Sequence, residues 1–181
     1  MTDTTPTTSS TTASTTAPAT DGTTVTQVYR VFIKATPEAI WDAITKPEWS
    51  QRYGYQSINE YDLRPGGAFR GHATEQMQSF GMPPTVVDGE VIEVDPPHRL
   101  VQTWRFLWSD EVKAEGPTRL TYDIAPGQGG VTSLTVTHEV VGGTETAAML
   151  AGEVANAGGG WAYVLSDLKS LLETGSALGA V

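Results

Sequence analysis

The chain contains no cysteine, which excludes disulfides, thiolate metal sites and cysteine nucleophiles. That composition fits a reducing compartment, and the cytoplasm is the expected location. Positive charge is scarce: 11 Lys and Arg stand against 21 Asp and Glu, for a formal net charge of -10. Such a surface repels phosphate backbones and anionic headgroups, so no nucleic-acid partner is expected. No run of about 18 apolar residues occurs, and no Lys or Arg precedes an apolar core at the amino terminus. Neither a membrane span nor a signal peptide is therefore read.

Fixed-spacing chemistry is missing too. There is no H-E-x-x-H, no G-x-S-x-G and no P-loop, and His72, His98 and His138 stand far apart without ligand spacing. A metal is not expected, nor is a cofactor. The glycine-rich turn from Gly127 to Gly130 lacks the spacing of a phosphate cradle and reads as a hairpin loop. Large branched and aromatic apolar residues are absent from one stretch: the first 24 residues hold twelve Thr and none of Val, Ile, Leu, Phe, Trp or Tyr. Residues 1–24 cannot offset their ordering entropy by burial and read as a disordered tail.

What is present is enough for one domain. Of 181 residues, 25–175 carry the periodic patterns, with a short tail over 176–181. About 150 residues can bury roughly two-thirds of the surface of the unfolded chain. Val25 to Ile33 alternates with apolar groups on both faces and reads as a strand. Thr36-Pro37-Glu38 supplies an N-cap, a proline at the first helical position and a carboxylate near the positive end of the dipole. A short helix with Ile40, Trp41 and Ile44 inward should follow. Lys46-Pro47-Glu48-Trp49 opens a second, ending near Gly54.

Between Ser57 and Val141, short alternating runs separated by Pro and Gly turns predict six more strands. They fall near 57–63, 67–76, 86–94, 99–108, 118–125 and 131–141, with Gln78 to Pro84 as a loop. Thr144 to Ala157 is moderately helical, and Gly158-Gly159-Gly160 should break it. The clearest helix is last: Trp161, Val164, Leu165, Leu168, Leu171 and Leu172 share one stripe, and Gly175 is a natural stop. Seven strands and one long amphipathic helix make an α+β layer, the helix lying on a curved antiparallel sheet. If large side chains hold the two apart, the space between them becomes a cavity.

The segments IKATPEAIWDAITKPE, LRPGGAFRG, GEVIEVDPPHRLVQTW, TSLTVTHE and GGWAYVLSDLKSLLETG, in that order, resemble the START-like or SRPBCC superfamily. Within it they resemble the branch related to the C-terminal domain of the activator of the ninety-kilodalton heat-shock protein's ATPase. The resemblance runs from Val25 to roughly Gly175 and implies a helix-grip fold with a largely apolar cavity between sheet and C-terminal helix. It does not imply one activity: the superfamily includes lipid and hormone binders, cyclases and dehydratases of aromatic polyketides, and co-chaperone domains. The co-chaperone's separate N-terminal domain, which contributes to chaperone binding, is matched here only by the Thr-rich tail.

Several side chains carry two readings. His138 shares the apolar face of its strand with Leu134, Val136 and Val140, either as a cavity-lining acid, base or anchor or as a structural histidine bonded inside the sheet. Leu100, Gln102, Trp104 and Phe106 share a face with Trp108 beyond them, an aromatic wall that is core packing, ligand surface or both. Tyr122 is a polar anchor or amphipathic packing. In the fourth strand Glu90, Ile92 and Val94 oppose Gly89, Val91 and Glu93, so either face brings a carboxylate inward unless a bulge intervenes. Gly67, Gly71 and Ala73 either widen a cavity or permit sheet curvature. Trp161, after three glycines, is a hinge at a cavity mouth or an anchor for the helix.

The leading expectation is a cofactor-free binding protein for a small apolar or amphipathic molecule. Trp104, Phe106, Tyr122, Val136, His138, Trp161, Leu165 and Leu168 would line the space, with Tyr53 and Phe69 near its entrance. A second is a polyketide cyclase or dehydratase-like enzyme with His138, and Glu90 or Glu93, moving protons. A third is a co-chaperone-like interaction module. Edge strands could pair two copies across a two-fold axis.

Overall fold

The computed structural model describes residues 22–155 and 157–179. Most of the Thr-rich tail therefore lies outside the described residues, as do the last two residues of the C-terminal tail. Seven strands form one antiparallel sheet: β1 (Thr24–Ile33), β2 (Ile58–Tyr61), β3 (Ala68–His72), β4 (Thr85–Asp95), β5 (Arg99–Phe106), β6 (Thr118–Pro126) and β7 (Thr132–Val141). Their order across the sheet is β1-β7-β6-β5-β4-β3-β2. The first and last strands thus pair, in register from Thr24 opposite Val141 to Ile33 opposite Thr132.

Helices α1 (Pro37–Thr45) and α2 (Pro47–Ser50) follow β1. Thr36 caps α1 by accepting from the Ala39 N–H at 3.2 Å, and Ile40, Trp41 and Ile44 turn inward as their spacing predicts. Helix α2 stops at Ser50, four residues before Gly54, and turns carry the chain onward. The long helix, α6 (Gly160–Thr174), ends on Gly175 in the left-handed region, whose N–H bonds the Leu171 carbonyl. It packs closest on β1, α1 and α5 (Thr144–Ala151). One apolar core joins these helices to the inner face of the sheet.

Three local expectations are corrected. The third strand ends at His72 rather than 76, because Thr74 caps a short helix, α3 (Glu75–Ser79), by accepting from the Met77 N–H. That helix takes the start of the segment expected to be loop. Ser109 caps an unexpected helix, α4 (Asp110–Ala114), within what had read as the approach to a turn. Helix α5 stops at Ala151 rather than continuing to Ala157, since Gly152 adopts φ 75° and turns the chain. In β1 both faces carry apolar groups as read: Gln27, Tyr29, Val31 and Ile33 turn inward, while Val28 and Phe32 are 59% and 60% exposed on the other face.

Two glycines make sheet curvature affordable. A Cβ on Gly67 would lie 1.9 Å from the Asp62 carbonyl oxygen, and one on Gly89 would lie 2.0 Å from that of Thr103. Close backbone approach therefore requires glycine at both places. Gly67 also accepts from the Val91 N–H at 2.8 Å, tying the β2–β3 turn to β4.

Asp167 of α6 is 2% exposed and accepts from two backbone N–H groups, those of Gly54 at 2.7 Å and Leu178. It thereby fastens the α2–β2 connection and the segment after α6 to one helix. Asp167→Asn keeps the size but turns an amide N–H toward one of those donors, leaving it unpaired. Urea unfolding should show a loss of about 1–3 kcal/mol.

Candidate functional site

The site grows from alternation on the inner face of the sheet. On β5, Leu100, Gln102 and Trp104 are buried and Phe106 is half-buried. On β6 the same face presents Leu120, Tyr122 and Ile124, and on β7 Leu134, Val136, His138 and Val140. Leu165 and Leu168 of α6 are buried opposite them. Of the residues expected to line the space, the structure brings Trp104, Phe106, Tyr122, Val136, His138, Trp161, Leu165 and Leu168 into one core.

The aromatic groups form a continuous string. Trp108 packs on Phe106 with ring centres 3.7 Å apart, and Phe106 meets the Trp104 ring edge-on at 4.1 Å. Trp104 stands perpendicular to His138 at 5.2 Å, and Trp161 lies 6.1 Å from His138 and 5.9 Å from Tyr122. The edge-to-face contacts of Trp104 with Phe106 and His138, and of Trp161 with Tyr122, suit the ring quadrupoles. Phe106, Trp108 and Trp161 are half-buried, so the string runs from the interior to the surface.

His138 is fully buried, and its partners fix its tautomer. The indole N–H of Trp161 can only donate, and it does so to Nδ1 at 3.1 Å. The ring proton must then sit on Nε2, which faces the Thr118 hydroxyl at 2.6 Å. That hydroxyl in turn donates to the Trp104 carbonyl at 2.7 Å. Every group in this chain has one role. Burial lowers the histidine pKa from 6.5 to about 3, so the ring is neutral at physiological pH.

The carboxylates expected as its acid or base partners face elsewhere. Val91 opposes Gln102 whereas Glu93 opposes Val101, so the β4–β5 register shifts by one and Ile92 is the extra residue of a bulge. Inward positions change from odd to even across it, giving Val91 and then Val94. Glu90 and Glu93 are both exposed, and Glu93 accepts from Arg99 at 3.1 Å. This corrects their candidacy as interior acids.

Tyr53 and Phe69, expected at an entrance, are buried at 8% and 4% exposure. Tyr53 donates to the Ala43 carbonyl at 3.2 Å, and Phe69 stacks on Tyr61 with ring centres 4.6 Å apart. Surface depressions lie apart from the aromatic string. One, of about 270 Å³, is lined by Asp88, Gly89, Thr103, Arg105 and Pro117. The other, of about 430 Å³, lies at the β2–β3 edge between Thr45, Pro47, Tyr61, Ala68 and Arg70.

Two polar groups were not singled out by sequence reasoning. Gln102 is 0% exposed, and among the described residues neither its Nε2 nor its Oε1 has a hydrogen-bond partner; the buried Tyr61 hydroxyl also has none. The strand pattern had put Gln102 on the apolar face, and a carboxamide on such a face was the available signal. Burial pushes the Tyr61 and Tyr122 phenols up, and the neighbouring Tyr53 phenol adds to both shifts. Among the described residues no three of His, Cys, Asp and Glu gather where a metal could bind. No described helix is long and apolar enough to cross a membrane.

A family profile, Activator of Hsp90 ATPase homolog 1-like protein, matches residues 34–173. The chain belongs to this family. Solved structures similar to it include a protein from Mesorhizobium loti, at 21% identity over 82% of this chain and 96% of that one, with a TM-score of 0.61. The Aha1 dimer from Colwellia psychrerythraea is similar at 19% identity over 83% and 98%, with a TM-score of 0.59. An Hsp90 activator from Plasmodium falciparum follows at 23% identity over 84% and 90%, with a TM-score of 0.52. At such identities the likeness establishes the helix-grip fold. Comparison with curated protein sequences returns no match.

The buried histidine has a pH signature. Between pH 6.5 and pH 3 the unfolded chain holds a proton that folded His138 refuses, so its contribution to stability is intact above about 6.5 and is lost as pH falls. The slope is about 1.4 kcal/mol per pH unit inside that window. Urea unfolding at pH 6.5 and pH 5 should show a steeper loss for the wild type than for His138→Gln. Equal slopes would mean that the imidazole is not held neutral.

Proposed function

We propose that this chain binds a small apolar or amphipathic molecule between the sheet and α6, without a cofactor. The observation that carries this reading is the aromatic string: Trp104 lies in the interior while Phe106, Trp108 and Trp161 at its outer end are only partly buried. A flat apolar molecule laid there would gain burial at about 25 cal/mol for each Å² covered. The fold supports the reading, since helix and sheet meet here through large apolar side chains.

Proton-transfer chemistry has less support. Both ring nitrogens of His138 are committed to Trp161 and Thr118, and the acids of β4 face outward. The imidazole acts instead as a positioning residue that aims the Trp161 indole.

Native mass spectrometry of the purified protein, followed by denaturing extraction, tests the reading. A small apolar molecule is expected to copurify, or an added aromatic hydrocarbon to quench tryptophan fluorescence saturably. Trp104→Ala and Leu165→Glu should each weaken that binding about tenfold or more, as loss of a buried anchor does. Unchanged binding in both variants would sink the site.

A second reading, a homodimer, is favoured by the β1 edge. Val28 and Phe32 leave apolar surface on β1, whose outer edge pairs with no other strand among the described residues, although the Phe32 carbonyl there accepts from Lys169. Light scattering should give twice the chain mass, and Phe32→Glu should return it to that of one chain. A wild-type monomer would refute this reading.

A further inference from the structure

The unpartnered groups of the interior define a ligand chemistry. Gln102 sits on β5 opposite Val91 of β4 and Leu120 of β6, with Leu100 and Trp104 on either side along its own strand. All of these neighbours are apolar. The Tyr61 hydroxyl lies against the carboxamide without the geometry of a hydrogen bond. Native proteins leave few such atoms unsatisfied, because a buried donor or acceptor that has lost water and gained nothing is costly.

The other polar groups nearby are already committed. Tyr53 donates to Ala43, and His138 has used both nitrogens. What remains is one carboxamide, which offers donor and acceptor together, and one phenolic hydroxyl. Neither carries charge at physiological pH. Among the described residues no Lys or Arg is buried, and the one buried carboxylate, Asp167, is bonded to backbone N–H groups. An anion placed beside Gln102 would have no counter-charge and would lose its hydration.

Access is short. The Tyr61 ring lines the 430 Å³ depression at the β2–β3 edge while its oxygen is buried beside Gln102. One side chain therefore separates solvent from the polar pair.

We infer that the molecule bound is neutral, with a flat apolar body that bears an adjacent hydrogen-bond acceptor and donor, a carbonyl beside an N–H or O–H, read by the Gln102 carboxamide and the Tyr61 hydroxyl. This inference rests on the ligand-binding reading above and adds to it the selection of neutral carbonyl compounds over hydrocarbons and over carboxylates such as fatty acids.

Three probes with one naphthalene body test it by tryptophan quenching: naphthamide, methylnaphthalene and naphthoate. Naphthamide should bind about tenfold more tightly than methylnaphthalene, the effect of hydrogen bonds to otherwise unpaired groups, and naphthoate more weakly than both. Gln102→Met, of similar shape, should abolish the preference for naphthamide. Tyr61→Phe should reduce that preference. Equal binding of naphthamide and methylnaphthalene, or a preference that survives Gln102→Met, overturns the inference and leaves ligand binding standing. Naphthoate binding as tightly as naphthamide overturns it in the same way. Failure of all three probes to bind overturns both. Melting of the ligand-free proteins gives an independent readout. Gln102→Met should match or exceed the wild-type midpoint, because it removes unsatisfied groups, whereas a fall of several degrees would mean that the carboxamide is satisfied within the folded protein and would overturn the inference.

Discussion

The ladder between β1 and β7 is the constraint on which the other layers depend. It joins the first strand to the last over ten paired positions, so the sheet is completed only when most of the chain has been placed. Its register sets which side chains of β1 face inward. Tyr29, Val31 and Ile33 then form the strip on which α6 rests, and Lys169 of that helix donates to the Phe32 carbonyl at 2.7 Å. With α6 fixed along one edge of the sheet, the central strands meet the helix through large side chains rather than through close backbone packing. That spacing makes the interior aromatic.

Within that interior, specificity of arrangement comes from one directed chain of hydrogen bonds. Trp161 donates to His138, His138 to Thr118, and Thr118 to a main-chain carbonyl of β5. It links helix, β7, β6 and β5 by groups that each have one available role. A hydrophobic contact could be satisfied by several orientations of the indole, whereas this chain admits one. Each member would be costly to strand in an apolar setting, so removing one leaves its neighbours uncompensated. On the outer face, by contrast, Arg105 with Asp88 and Arg119 with Glu139 are partly solvated pairs that contribute little to stability.

Much of this was legible in the residues. Strand parity put Leu100, Gln102, Trp104 and Phe106 on one face, the helical stripe identified α6, and Thr36-Pro37-Glu38 located α1. The helices at Glu75 and Asp110 were missed although Thr74 and Ser109 are good caps, because five-residue helices have no measurable periodicity and neighbouring turn signals dominate. The β4 face was undecidable from alternation alone, since a bulge is a property of two strands and only one was being read. The pairing state of Gln102 was equally hidden. Sequence places a carboxamide on a face but does not tell what stands opposite it.

The β4 bulge has a consequence for how this strand can vary in length. Inward positions are odd from Val87 to Val91 and even from Val94, so one residue, Ile92, carries the change of parity. A strand lacking that residue would alternate without interruption, with Val91 inward opposite Gln102, Glu93 outward opposite Val101 and Val94 inward opposite Leu100. Loss of Ile92, whose side chain is 39% exposed, therefore leaves each neighbouring side chain on its present face and removes only the local kink. The position is thus tolerant both of what the residue is and of whether it is there. In a regularly alternating stretch such as Val87 to Val91, by contrast, the loss of one residue would turn the strand beyond it inside out.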